Sequence, residues 1–379
     1  MKIAYVSSYD ARNIRSWSGI PYHMSKFLDS EATQVEYICP LQIDILSKLN
    51  LISKKVFYKY IRHQHYLRDW NVPTLKNYAK QISNKLSSSK SDIVISPVTY
   101  TLAYLECQQP MAFWADATFA GLINYYPWHS NLCKESINLG IFLEQRVLDK
   151  CKVAIYSSEW AANTAKKNYK VNPEKIKVVP YGGNFECNNT LEDIKSMVSS
   201  RSQKSCKLLF LGVNWERKGG DIAFAVAKAL NEAGLKTELT IVGCEPVLEQ
   251  PYPDFVKPLG FISKSTESGK KQIKQLLSDS HFLILPSRAD CTPIVLCEAN
   301  FFGVPCLTSV TGGISTIIKD DVNGKTFNEE FVTECCNYVL SLFSNYSQYQ
   351  NLALSSFNEY QNRLNWSVAT ATVKKILQE

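Results

Sequence analysis

The chain has 379 residues, is 45% hydrophobic, 12% aromatic and 20% charged, and sets 42 Lys and Arg against 35 Asp and Glu for a formal charge of +7. At ~100–200 residues per domain, this length argues for two domains. The aromatic content excludes a disordered chain and the 16 Gly and 15 Pro exclude a collagen-like one, while the mild positive charge permits an anionic ligand or a membrane surface without calling for nucleic acid. No apolar run is long enough to span a bilayer, and the opening MKIAYVSSYD lacks the features of a secretory leader. The twelve cysteines are scattered, with neither CxxC nor zinc-like spacing, and are read as reduced thiols, mostly in the core, of a cytoplasmic protein.

In chain order, 2–9 reads as a strand, followed by Ser18-Gly19-Ile20 and a helix from about Tyr22. A glycine there lets backbone N–H groups approach a phosphate, or simply turns strand into helix. VEYIC at 35–39 is the next strand. Residues 45–68 carry Lys48, Lys54, Lys55, Lys59, Arg62 and Arg68 with no acid, interleaved with apolar and aromatic side chains. That composition suits a membrane-surface element, a wall for an acceptor, or a helix with a solvated basic face. Residues 72–87 have helical spacing, 92–96 and 111–115 are buried strands, 135–150 is helical and 152–158 is again a strand. Asp116 directly follows the 111–115 strand, where it is either a base for an acceptor hydroxyl or a turn or helix-cap residue. His129 is read as a surface or satisfied histidine. Strands alternating with helices imply a parallel sheet.

The polar stretch 187–205 is expected to be a linker between a domain of residues 1–186 and one of residues 206–354, with 355–379 as a C-terminal helix. After the linker, 207–212 is a strand, 221–235 an amphipathic helix, and 237–243, 281–287 and 304–309 are strands. The fold class is therefore α/β, with two doubly wound domains expected to face each other across a cleft. Ligands of open parallel sheets bind beyond the carboxyl ends of the strands. Two post-strand loops stand out. In LFLGVNWERKGGDIAFA (209–225), Arg217 and Lys218 precede a Gly-Gly turn and suit phosphate. In PSRADCTPIVLCEANFFGVPCLTS (286–309), Asp290 lies in the loop, Thr292-Pro293 reads as an N-cap followed by the first helical residue, and Glu298 lies within the helix. Free N–H groups at such a helix start suit an anion or sugar hydroxyls.

These two loops, together with the 157–184 segment that opens a helix at Ser158-Glu159-Trp160 and leads into Val178-Val179-Pro180-Tyr181-Gly182, resemble the GT-B glycosyltransferases of family 4. That family's pair of glutamates, separated by seven residues, is matched by Asp290 and Glu298, with aspartate in the first place. Its frequent arginine after the first loop glycine is Val213 here, and Arg217 stands nearby. The resemblance implies that Asp290 binds donor-sugar hydroxyls, that Glu298 binds the ribose, and that the backbone of Cys291, Thr292, Pro293, Ile294 and Val295 lines the sugar and diphosphate. It also implies that Arg217, Lys218 and Gly19 meet the diphosphate.

The implied activity is retaining transfer of a sugar from a nucleotide-activated donor to a sugar, lipid-linked or small-molecule acceptor. The implied catalytic set is Asp116, Lys218 and Asp290, with no cofactor and no metal. A nucleotide-sugar epimerase or hydrolase, or a non-catalytic sugar-nucleotide-binding protein, are the other readings. The sequence has no GxGxxG, its Asn323-Gly324-Lys325-Thr326 lacks the earlier glycine of a phosphate loop, and Asp320-Asp321 are adjacent instead of forming a DxD-like pair.

Overall fold

In the computed structural model, which describes residues 1–185 and 189–379, the alternation of strand and helix becomes two parallel sheets. The first holds β1 (Lys2–Val6), β2 (Gln34–Ile38), β3 (Ile93–Ser96), β4 (Met111–Ala115), β5 (Val153–Tyr156) and β6 (Ile176–Val178) in the order β2-β1-β3-β4-β5-β6. The second holds β7 (Cys206–Leu211), β8 (Thr237–Val242), β9 (Val256–Pro258), β10 (Phe282–Leu285), β11 (Cys306–Ser309) and β12 (Gly324–Phe327) in the order β12-β11-β10-β7-β8-β9. Every residue of β3, β4, β5 and β10 is buried. This is expected where crossover helices cover both faces of a parallel sheet, and it explains why these strands read as unbroken apolar runs.

The chain divides into one unit of Met1–Pro180 with Ala369–Glu379, and a second of Tyr181–Val368. Each has its own core, centred on residues such as Phe113, Leu143 and Tyr156 in the first and Phe210, Phe282 and Leu296 in the second.

Three expectations change. The stretch 187–205 is more than a linker: Thr190 caps a helix at Leu191–Ser200, and Ile194 and Val198, one turn apart, enter the second core. Arg201 then buries its guanidinium on the carbonyls of Phe302 and Gly303, at 2.8 and 2.6 Å, and on the Tyr349 hydroxyl at 2.8 Å. The chain therefore passes between units at Pro180–Tyr181, before the polar stretch begins. Residues 186–188, which include Cys187 and the expected boundary at 186/187, lie outside the described residues. The single helix expected over 355–379 is the end of Tyr346–Arg363 followed by Trp366–Gln378, because Leu364 and Asn365 leave the helical conformation. Finally, β6, β9 and β12 were not anticipated. Gly324-Lys325-Thr326, which superficially suggested a phosphate loop, forms most of β12.

Candidate functional site

The second sheet reverses its order between β7 and β10: β8 and β9 continue on one side and β11 and β12 on the other. Loops leaving such a point diverge and open a crevice beyond the carboxyl ends of the strands. The two loops singled out above leave from this pair of neighbours.

The loop after β7 is folded by Asn214, whose Oδ1 accepts the Arg217 N–H at 2.8 Å and whose carbonyl accepts the Lys218 N–H at 3.1 Å. Gly219 has φ +75°, and a Cβ there would lie 2.0 Å from the Pro286 carbonyl oxygen, so both conformation and space demand glycine. The close approach places this loop against the end of β10. Arg288 fastens the two: its N–H donates to the Arg217 carbonyl at 2.8 Å, and its guanidinium grips both carboxylate oxygens of Asp221 at 2.8 and 2.6 Å.

Held in this way, Lys218 and Asp290 form an ion pair through Nζ and Oδ2, and they are only 9% and 7% exposed. Arg217 donates to the Ala289 carbonyl at 2.8 Å and has a guanidinium nitrogen 3.8 Å from the same Asp290 oxygen. The fold thus brings two cations and one carboxylate together where little water reaches, an arrangement that attracts an anion and can compensate charge developing on it. Cys291, Thr292, Pro293 and Ile294 are buried and Val295 is half-buried. The helix begins at Ile294 with Pro293 in the N-cap position, one residue later than expected, so Pro293 is not its first turn and the Thr292 side chain is not its cap.

Glu298 lies in the helix Ile294–Phe301 and is fully buried. Both its oxygens accept from Lys264 Nζ at 2.7 Å, and that ammonium lies 5.8 Å from the centroid of the Phe185 ring. The sequence reading missed Lys264, which stands in an unpatterned SKSTESGKK stretch. The available signal was Glu298 itself: an acid within the apolar helix IVLCEANF must be buried, and a buried carboxylate needs a cation. Asp320 and Asp321 both pair with Lys325, at 3.5 and 2.9 Å.

In the first unit the order reverses between β1 and β3. The loops that follow them meet through the Ser8 and Tyr100 hydroxyls, 2.7 Å apart. Gly19, at φ +82°, caps the helix Ile20–Leu28, and it is preceded by Trp17 and Ser18 at φ 43° and 54°. Two successive non-glycine residues in the left-handed region are strained, a feature concentrated at functional loops and invisible in the sequence. The Trp17 ring stacks on Tyr9 at 5.6 Å. The Tyr9 phenol is pushed up in pKa by burial, then by Asp69 and also by Asp116. Asp116 is half-buried just past β4 and is not a helix cap, because Thr118 fills that position and accepts the Gly121 N–H at 3.0 Å. Gly19 and Asp116 therefore belong to the first unit. Arg217, Lys218, Asp290, the 291–295 turn and Glu298 belong to the second.

Residues 193–356 match the family described as glycosyl transferases group 1. The lipopolysaccharide glucosyltransferase WaaG of Escherichia coli K12 is 27% identical over 182 residues, 46% of this chain and 48% of that protein. An uncharacterized 41.2 kDa protein in the cps region of Klebsiella pneumoniae is 25% identical over 193 residues, 50% of this chain and 51% of that one. These matches span about half the length of the curated relatives. Among solved structures, sucrose-phosphate synthase from Thermosynechococcus elongatus superposes with a TM-score of 0.69 at 13% identity, covering 100% of this chain and 98% of that one. HepE of Anabaena in complex with UDP gives 0.66 at 15% identity, with 100% of both chains covered. The chain has the GT-B fold, and its residues 193–356 match the glycosyl transferases group 1 family.

Proposed function

We propose that the protein is a retaining glycosyltransferase that moves a sugar from a nucleoside-diphosphate donor to an acceptor hydroxyl without a metal ion. The observation that carries this reading is the convergence of Arg217 and Lys218 on Asp290 at the switch point between β7 and β10. In the reaction, the bond from the sugar's anomeric carbon to the diphosphate breaks, the electron pair leaves with the phosphate, and the acceptor oxygen bonds to the same face of that carbon. The acceptor's proton passes to the departing phosphate. Lys218 and Arg217 neutralise the charge that grows on the diphosphate, which lowers the barrier more than it tightens the ground state. Asp290 orients the donor-sugar hydroxyls. Glu298, fixed by Lys264, accepts from the ribose hydroxyls through lone pairs that the ammonium leaves unused. Gly19 and Asp116 are the first-unit residues proposed to meet the diphosphate and the acceptor hydroxyl.

A uridine donor is proposed because HepE has been solved with UDP and with UDP-glucose, and because a relative 24% identical over 166 residues is named as a UDP-Gal-dependent galactosyltransferase acting on a diphosphoundecaprenol-linked GlcNAc. The test is incubation with UDP-, GDP- and ADP-sugars, with and without glycan and polyprenyl-diphosphate-linked acceptors. Acceptor-dependent release of nucleotide, with a product that keeps the donor's anomeric configuration, is expected. Equal release without acceptor would make the protein a hydrolase, and binding with no turnover on any acceptor would make it a sugar-nucleotide-binding protein.

A further inference from the structure

The helix Ile45–Tyr60 of the first unit has two opposed faces, and the outward one is apolar. Ser47, Asn50, Leu51, Lys54 and Tyr58, spaced i, i+3, i+4, i+7 and i+11, are its buried or half-buried side chains. Lys54 and Tyr58 both bond Glu135, at 2.8 and 2.9 Å. Ile45, Leu49, Ile52, Val56 and Tyr60 follow the same helical periodicity on a second stripe. At about 100° per residue, that stripe lies on the far side of the helix from the first. These five side chains, with Leu46, Phe57 and Ile61, are between 47% and 79% exposed. Lys48, Lys55 and Lys59, all exposed, form one flank of the apolar stripe, and Arg62 follows just beyond the helix. Between Ile45 and Arg68 there is no acid. Asp44 at the N-cap is engaged by Ser47, through the N–H at 2.8 Å and the hydroxyl at 3.1 Å.

A surface helix ordinarily turns its polar face to water, so an outward apolar stripe of this length marks a surface that meets something else. We infer that this helix lies on an anionic lipid bilayer, with the apolar stripe settled at the headgroup boundary and the lysine flank against anionic headgroups. The inference stands apart from the donor chemistry proposed above. A helix of sixteen residues is about 24 Å long, short of the ~30 Å hydrocarbon core, and its lysines keep it at the surface. A second copy of the chain fits less well. Pairing two such stripes would crowd two lysine flanks together, and a ridge one helix wide falls short of the ~800 Å² per partner typical of a stable dimer.

The test is co-sedimentation of the full chain with vesicles of phosphatidylcholine alone or mixed with phosphatidylglycerol, at low and high salt. Binding is expected only with the anionic lipid and should weaken as salt screens the lysines. Reversing the flank with Lys48→Glu, Lys55→Glu and Lys59→Glu should lower the partition coefficient roughly tenfold or more. A triple variant, Leu49→Gln, Ile52→Gln and Val56→Gln, should do likewise while leaving the circular dichroism unchanged, since all three side chains are solvent-exposed in the unbound protein. A tryptophan at Leu49→Trp should shift its emission to the blue on anionic vesicles only. Equal recovery in the supernatant with both lipids overturns the inference. So does binding that both variants retain, or a concentration-dependent dimer that the glutamine variant abolishes.

Discussion

Lys218 is a buried ammonium whose partner, Asp290, is shared with Arg217, so its charge is held in place before any ligand arrives. On the proposed mechanism Lys218→Ala should lower kcat about 10²–10³-fold, as loss of one preorganised donor to developing charge commonly does. Affinity for the free nucleoside should change little. Steady-state kinetics beside nucleoside calorimetry check this, and an unchanged kcat removes Lys218 from the reaction. Glu298 and Lys264 behave differently, because the carboxylate is fully buried while the lysine side chain is 41% exposed. Lys264→Met should therefore be the more damaging change, leaving a buried carboxylate without its cation at a cost of roughly 3 kcal/mol. Adding Glu298→Gln should restore much of that loss. Urea unfolding of both single variants and the double variant measures the coupling. At this scale the sequence displayed the charged loops and the acid pair, because they are local strings. It hid Lys264 and the strained Trp17-Ser18 backbone, because both depend on what the fold brings near.

Glu144 shows how elements are tied together. It lies on the helix Lys134–Lys150 and accepts from the Thr99 hydroxyl at 3.1 Å, the Phe119 N–H at 2.6 Å and the Tyr169 hydroxyl at 2.5 Å, joining three other segments of the first unit. Full burial outweighs these donors and pushes its pKa from 4.5 up to about 7. Below 4.5 the group is protonated whether the chain is folded or not. As pH rises from about 4.5 to about 7 the unfolded chain releases this proton and the folded one keeps it, so stability falls, by about 3 kcal/mol at most. Glu144→Gln should flatten that portion of the stability–pH curve, read as the difference in urea midpoint between variant and wild type. Arg201 is the corresponding tie in the second unit, and Arg201→Ala should strip partners from the Phe302 and Gly303 carbonyls and lower the melting temperature by several degrees in calorimetry. Strand legibility followed position in the sheet, the edge strand β2 excepted. The central strands were all visible as apolar runs. The missed strands β6, β9 and β12 are all edge strands of three or four residues, each with a lysine and partial exposure, so they never form such a run. The helix Leu191–Ser200 was masked by the serines and asparagines around it, although its two core side chains sit one turn apart.

At the scale of the whole molecule the second unit is an insertion within the first, since residues 181–368 are flanked on both sides by residues of the other unit. Ala369, Val373 and Leu377 of the last helix are buried, and the carbonyl of Leu377 accepts from Lys152 Nζ at 3.2 Å. Deleting 369–379 should therefore weaken amide-exchange protection in β1 to β6 and leave β7 to β12 close to wild type, as hydrogen exchange would report strand by strand. The same arrangement dictates an order of completion during translation. A ribosome releases residues 1–180 first, but the stretch that finishes their unit, 369–379, is read only after the whole of the inserted unit. The inserted unit, begun later, is whole as soon as residue 368 has cleared the exit tunnel. Domains generally fold as units as they emerge. A nascent chain arrested at that point should already carry a protease-resistant second unit, whereas the first should gain its full resistance only when residues 369–379 have emerged as well.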